Sequence, residues 1–115
     1  MNTRIEYMYR DGENYKLFHE VVVAGVVDIG QLQPHFFEGS FFMPSAVGLD
    51  DLQERPYRDC DHVWHELECA EATDAQPTVS TTAEELLARF SAVGRAGWSA
   101  KIVSARMAEI QRFMV

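Results

Sequence analysis

The sequence predicts an α+β domain: a mainly antiparallel sheet of about four strands, in the chain order β-β-α-β-β-α-α, covered by C-terminal helices. Polar and apolar residues alternate from Arg4 to Arg10 and again from His62 to Ala70. Turn residues separate the first alternating run from a second, β-branched one. Two helical periodicities then fill the chain from Thr82 to Met114. With 115 residues, 47% of them hydrophobic and 24% charged, the chain suffices for one domain spanning residues 1–115. A core of that size folds without disulfides or metal.

On the first strand Ile5, Tyr7 and Tyr9 fall on one side, and Arg4, Glu6, Met8 and Arg10 on the other. Asp11-Gly12-Glu13-Asn14 supplies a turn, because Gly and Asn accept positive φ and Asp bonds nearby backbone. Tyr15 to Ala24 reads as the antiparallel partner strand, most apolar at Val21-Val22-Val23. Asp28 and Gln31 form a capping box for a short helix with Leu32, Phe36 and Phe37 on its apolar side. Gly30 and Pro34 restrict it to one or two irregular turns ending at Gly39. Ser40 to Met43 is a short strand stopped by Pro44. Residues 44–60 form a long loop with one helical turn near Val47–Leu52, and a loop of that length in a small domain is often functional.

His62 to Ala70 predicts a strand with Val63, His65, Leu67 and Cys69 on one face and His62, Trp64, Glu66 and Glu68 on the other. A polar connector follows. Thr82-Ala83-Glu84-Glu85 is a second capping box, opening a helix with Leu86, Leu87, Phe90 and Val93 at helical spacing and Gly94 as its stop. A last helix starts near Ser99. Val103, Met107, Ile110 and Met114 form its apolar stripe, widened by Ile102 and Phe113, while Lys101, Arg106 and Arg112 lie off it.

Charge narrows the function classes. The net charge is −8, but residues 1–88 carry 17 acids against 5 bases and residues 89–115 carry 5 bases against 1 acid. Phosphate backbones repel the acidic body, so direct nucleic-acid binding is not expected. Such a surface suits a basic partner, or imitates nucleic acid toward a basic protein. Residues 1–20 show no basic start followed by an apolar run, so no signal peptide is expected. Val21 to Val27 is too short to cross a bilayer, and no membrane association is expected. Cys60 and Cys69 fit free thiols in a reducing compartment, which places the protein in the cytoplasm.

The densest chemistry lies between Asp59 and Cys69. A divalent metal needs three or four N, O or S ligands, and Asp61, His62, His65 and Glu66 are the alternative set for a small metal-dependent enzyme. The His62-x-x-His65-Glu66 spacing matches neither zinc-peptidase order. On a strand the two imidazoles also point to opposite faces, which makes His65 a hydrogen-bonded core histidine. Trp64, Glu66 and Glu68, with His62 and His65, are the candidate ligand- or partner-binding residues. Trp64 is core if its face is covered; if that face is open, an aromatic beside carboxylates suits a cationic or basic partner. No nucleophile elbow is present. Gly25 to Gly30 outlines half of a phosphate loop, but Gln31-Leu32 follows where Lys and a hydroxyl residue are required. Tyr7, Tyr9 and Tyr15 beside Arg4, Arg10 and Lys16 read as cross-strand packing, with a nucleotide-stacking patch as the alternative. No cofactor and no catalytic residue are expected.

Several segments, in order, resemble a family of small acidic bacterial proteins without assigned activity. They are Arg4 to Asp11 with Asn14-Tyr15-Lys16; Gly39 to Phe42; Val47-Gly48-Leu49-Asp50-Asp51-Leu52-Gln53; Asp61 to Leu67; and Glu71-Ala72-Thr73-Asp74 with Pro77-Thr78. The resemblance covers most of residues 4–90 and departs at 28–38, where Gly30 and Pro34 interrupt a helix. It implies a bacterial cytoplasmic protein and carries over no activity or cofactor. The leading expectation is therefore a non-enzymatic interaction module that binds a protein partner or itself, with a homodimer through residues 99–114. The alternatives are the metal enzyme, the nucleic-acid mimic, and a small-ligand binding protein with its pocket between the sheet and loop 44–60.

Overall fold

The computed structural model describes residues 1–114. β1 (Asn2–Arg10) and β2 (Lys16–Val23) form the expected hairpin, with Ile5 opposite Val21 and Tyr9 opposite Leu17. Asp11 closes it: Oδ1 accepts the N–H groups of Glu13 and Tyr15 at 2.8 and 2.9 Å. Asn14 takes φ 67°, the left-handed conformation that asparagine tolerates better than most residues. β4 (His65–Thr73) pairs with the other side of β1, and the two-residue β3 (Phe41–Phe42) pairs with β4. The sheet is antiparallel throughout, in the order β2-β1-β4-β3. Its inner face carries Ile5, Tyr7, Tyr9, Val21, Val23, Phe42 and His65, all buried.

The α+β class is thus observed, and each helix sends an apolar side chain into the same core. α1 (Ile29–Leu32) has the Asp28–Gln31 capping box and contributes Leu32; α2 (Pro44–Val47) contributes Val47. α3 (Ala83–Arg95) has the Thr82–Glu85 box and inserts Leu86 and Phe90, the latter ring 5.4 Å from that of Phe42. The Ala83 N–H donates to the Ala24 carbonyl at 2.8 Å, tying the start of α3 to the end of β2. α4 (Ala100–Arg112) is N-capped by Ser99 and turns Val103, Met107 and Ile110, with Met114 just beyond it, toward the core. Between sheet and α4 lies the loop after α2, fastened where Tyr7 Oη donates to the Asp50 carbonyl at 2.7 Å.

Four local expectations need correction. The helical part of segment 28–39 ends in a 3₁₀ turn, Gln33–His35, rather than at Gly39. Phe37 instead bonds Phe41 through both backbone groups, at 2.6 and 2.9 Å, across a turn in which Glu38 and Gly39 take positive φ. The helical turn of the long loop is Pro44–Val47, not 47–52, because Pro44 suits the first helical position and Gly48, at φ 90°, ends it. α3 runs one residue past Gly94 and stops before Gly97, whose φ is 67°. Gly94 serves a different purpose: a Cβ there would lie 2.8 Å from the His35 Cβ, so the bare backbone admits the 3₁₀ turn.

The fourth correction concerns β4. It starts at His65, three residues later than expected, and Glu6 opposes Cys69 while Tyr7 opposes Leu67. Glu68 is therefore the extra residue of a β-bulge, and side-chain parity reverses across it. Cys69 consequently leaves the face of His65 and Leu67 and lies on the outer face, 3.3 Å from Arg4 Nη2, while Ala70 packs on the core.

Gly48→Ala should cost about 2 kcal/mol, because φ > 0 strains alanine and the added methyl has no room. That Cβ would overlap the Arg89 guanidinium and sit 2.7 Å from Thr81 Oγ1. Urea unfolding measures it; a loss no larger than that of an exposed Gly39→Ala control would contradict the steric account.

Candidate functional site

The outer face of the sheet is exposed at its edge and charged positions, while Met8 and Val22 on it are buried. Lys16, Phe18 and Glu20 of β2 and Glu68 and Glu71 of β4 are exposed. One cross-strand row on this face reads Phe18, Met8, Glu66, Phe41 from edge to edge. At the end of the sheet beside that row is a cleft of about 410 Å³, bounded by Arg10, Asp11, Phe41, His62, Trp64 and Glu66.

Each wall has an identifiable support. Glu66 stands on β4 with its carboxylate 3.6 Å from Arg10 Nε and its side chain 33% exposed. Trp64, just before β4, stacks on Phe37 with centroids 4.2 Å apart and planes 4° from parallel. Trp98 meets it edge-on at 5.8 Å, itself anchored by an Nε1–H bond to the His35 carbonyl. His62 Nδ1 accepts the Trp64 N–H at 3.0 Å, which leaves the ring hydrogen on Nε2, donated to the Arg10 carbonyl at 2.7 Å. This ring thus ties the segment before β4 to the end of β1.

Burial pushes the Asp11 carboxyl up, but the N–H groups of Tyr15 and Glu13, together with Arg58 at 2.9 Å, outweigh it and hold it below the usual range. Asp11 is therefore committed to its turn. Of the two carboxylates that line the cleft, Glu66 is the one without backbone bonds.

The predicted site residues separate into four places. His62, Trp64 and Glu66 converge on the cleft. His65 is fully buried on the inner face; Nε2 accepts the Leu52 N–H at 3.0 Å and Nδ1 bonds the Val63 carbonyl at 3.1 Å. Burial pushes its pKa down to about 3, so the ring is neutral. Glu68 projects from the bulge, away from the cleft lining. Asp61 fastens the loop: Oδ1 accepts from Tyr9 Oη at 2.6 Å and Oδ2 from the Arg58 N–H at 2.8 Å. All four imidazole nitrogens of His62 and His65 are thereby bonded to backbone. Among the described residues no three His, Cys, Asp or Glu side chains are grouped to hold a metal ion.

Arg10, Asp11 and Phe41 were not in the predicted set. The sheet order brings them in, because β4 lies between β1 and β3. A second cleft, of about 260 Å³, does lie against loop 44–60, bordered by Tyr9, Tyr15, Glu54, Arg55 and Arg58. Both cysteines are free. No helix among the described residues is long and apolar enough to cross a membrane. No protein-family model, curated protein or solved structure matches the chain.

Proposed function

We propose that this protein is a non-enzymatic interaction module of the cytoplasm that receives a basic segment of a partner protein on its outer sheet face. The observation that carries the reading is the convergence of Trp64, Phe41, His62 and Glu66 on one cleft at the end of that face. On the outer side as a whole acids predominate, Glu6, Glu20, Glu66, Glu68 and Glu71 against Arg4, Arg10 and Lys16, although at the cleft itself only Glu66 is uncommitted. Arg4 is already paired with Glu20 and Glu71 at 2.6 and 2.7 Å. An incoming Lys or Arg would lay its stem on Phe41 and Trp64 and offer its charge to Glu66, displacing Arg10 from a long, weak contact. The free cysteines support a reducing compartment.

Titration of isotope-labelled protein with a short Lys/Arg-rich peptide tests the reading. Resonance shifts are expected at Phe41, Trp64 and Glu66 and nowhere on α3. Glu66→Gln should weaken binding about fivefold, the worth of a half-exposed ion pair of ~1 kcal/mol. Unchanged affinity in that variant, or equal binding of an acidic peptide, would overturn the assignment.

A further inference from the structure

We propose that the free edge of β2 pairs antiparallel with the β2 edge of a second copy of this chain, about a two-fold axis at Phe18. The proposal is independent of the basic-partner reading and rests on a different part of the sheet.

The direction of the edge is fixed by Val22. Its N–H donates to Thr78 Oγ1 at 2.8 Å and its carbonyl accepts the Thr78 N–H at 2.9 Å, so both groups turn away from β1. The β1–β2 register is unbroken, and backbone direction repeats every second residue. Lys16, Phe18 and Glu20 therefore present their N–H and C=O groups outward, with no partner among the described residues. Thr78 caps the row at one end and the turn at Asn14 ends it at the other. The open length is Lys16 to Glu20.

That length is complementary to itself. With the axis at Phe18, Lys16 of each copy lies opposite Glu20 of the other, and Leu17 lies opposite His19. Opposite charges directly across a ladder stabilise it, and like charges destabilise it. Lys16 has no ion-pair partner among the described residues. Glu20 meets Arg4 through Oε1 and keeps its second oxygen. A slip of two residues in either direction opposes one of these charges to Phe18 and runs into Asn14 or the capped Val22. Charged edges usually discourage such pairing; here the charges are placed so that one register satisfies both. Phe18, 60% exposed, meets its own copy at the axis. The row Phe41, Glu66, Met8, Phe18 then continues into the second sheet.

Sedimentation velocity over a hundredfold concentration range tests this, with circular dichroism confirming that each variant is folded. The wild type should show a concentration-dependent dimer. Lys16→Glu and Glu20→Lys, taken singly, place like charges at both ends and should each weaken it at least tenfold. The double swap restores opposite charges and should recover the dimer to within about threefold, a residual of well under 1 kcal/mol. Phe18→Cys should form an inter-chain disulfide on mild oxidation, since directly bonded pairs have Cα atoms about 5.5 Å apart. A monomer at every concentration, or a dimer indifferent to both single swaps, would overturn the proposal. So would a dimer lost only when exposed positions of α4 are changed, which would put the interface on that helix. Lys16→Glu should still bind the basic peptide, so the two readings fail separately.

Discussion

Asp51→Ala should destabilise the protein by about 3 kcal/mol, within the range for breaking one partner of a buried ion pair. The Arg106 side chain is only 12% exposed and that of Asp51 7%, with Nε 2.7 Å from Oδ2. Arg106 also reaches Gln53 Oε1 at 3.2 Å and Glu109 at 3.0 Å. Without Asp51 the guanidinium stays buried with neutral Gln53 and half-exposed Glu109 as its remaining strong partners. The Ser45 N–H loses its acceptor as well. Joint replacement, Asp51→Leu with Arg106→Met, should cost less than the sum of the two single changes, because no stranded charge remains. Urea unfolding of the cycle measures this. A loss below ~1 kcal/mol for Asp51→Ala would mean that the apolar stripe alone docks α4.

The second large effect is acid destabilisation through His65. Its folded pKa of about 3 lies below the 6.5 of the exposed ring, so the unfolded chain binds the proton first. The corresponding stability is fully present above pH 6.5 and is lost progressively as the pH falls toward 3. Burial is the main cause; the nearby charges of His62 and Arg106 add to it, and the Val63 carbonyl opposes it. The whole window is worth about 4 kcal/mol, at most ~1.4 kcal/mol per pH unit. His65→Gln can still accept the Leu52 N–H; it should be less stable at pH 7 but flatten the slope between pH 6.5 and 4.5 by about one proton. An unchanged slope in that variant would show that other groups carry the acid sensitivity.

Most of the fold was legible because local chemistry and tertiary placement agree. The hairpin, both capping boxes and the last helix follow from residues that satisfy their own backbone groups nearby. His65 was likewise legible as a core histidine. Errors arose where a distant segment decides the outcome. Gly94 reads locally as a helix stop, but the requirement it meets is the close approach of His35. Arg106 lies off the apolar stripe, and only the course of loop 49–53 makes it an interior ion-pair partner. Of the cleft, the three residues near the start of β4 could be found from alternation. Arg10 and Phe41 could not, since nothing local says that β4 will pair between their strands.

The single extra residue at Glu68 has a hereditary consequence. Toward Leu67 and His65 the inward positions answer to Tyr7 and Tyr9; toward Ala70 they answer to Ile5, in the opposite phase. What looks like one nine-residue strand is, for substitution, two short ones that can drift independently. A codon lost at Glu68 or at the adjacent Cys69 would merge their phases and leave neighbouring positions correct, whereas a codon lost further along the strand would reverse the facing of the residues on one side of it.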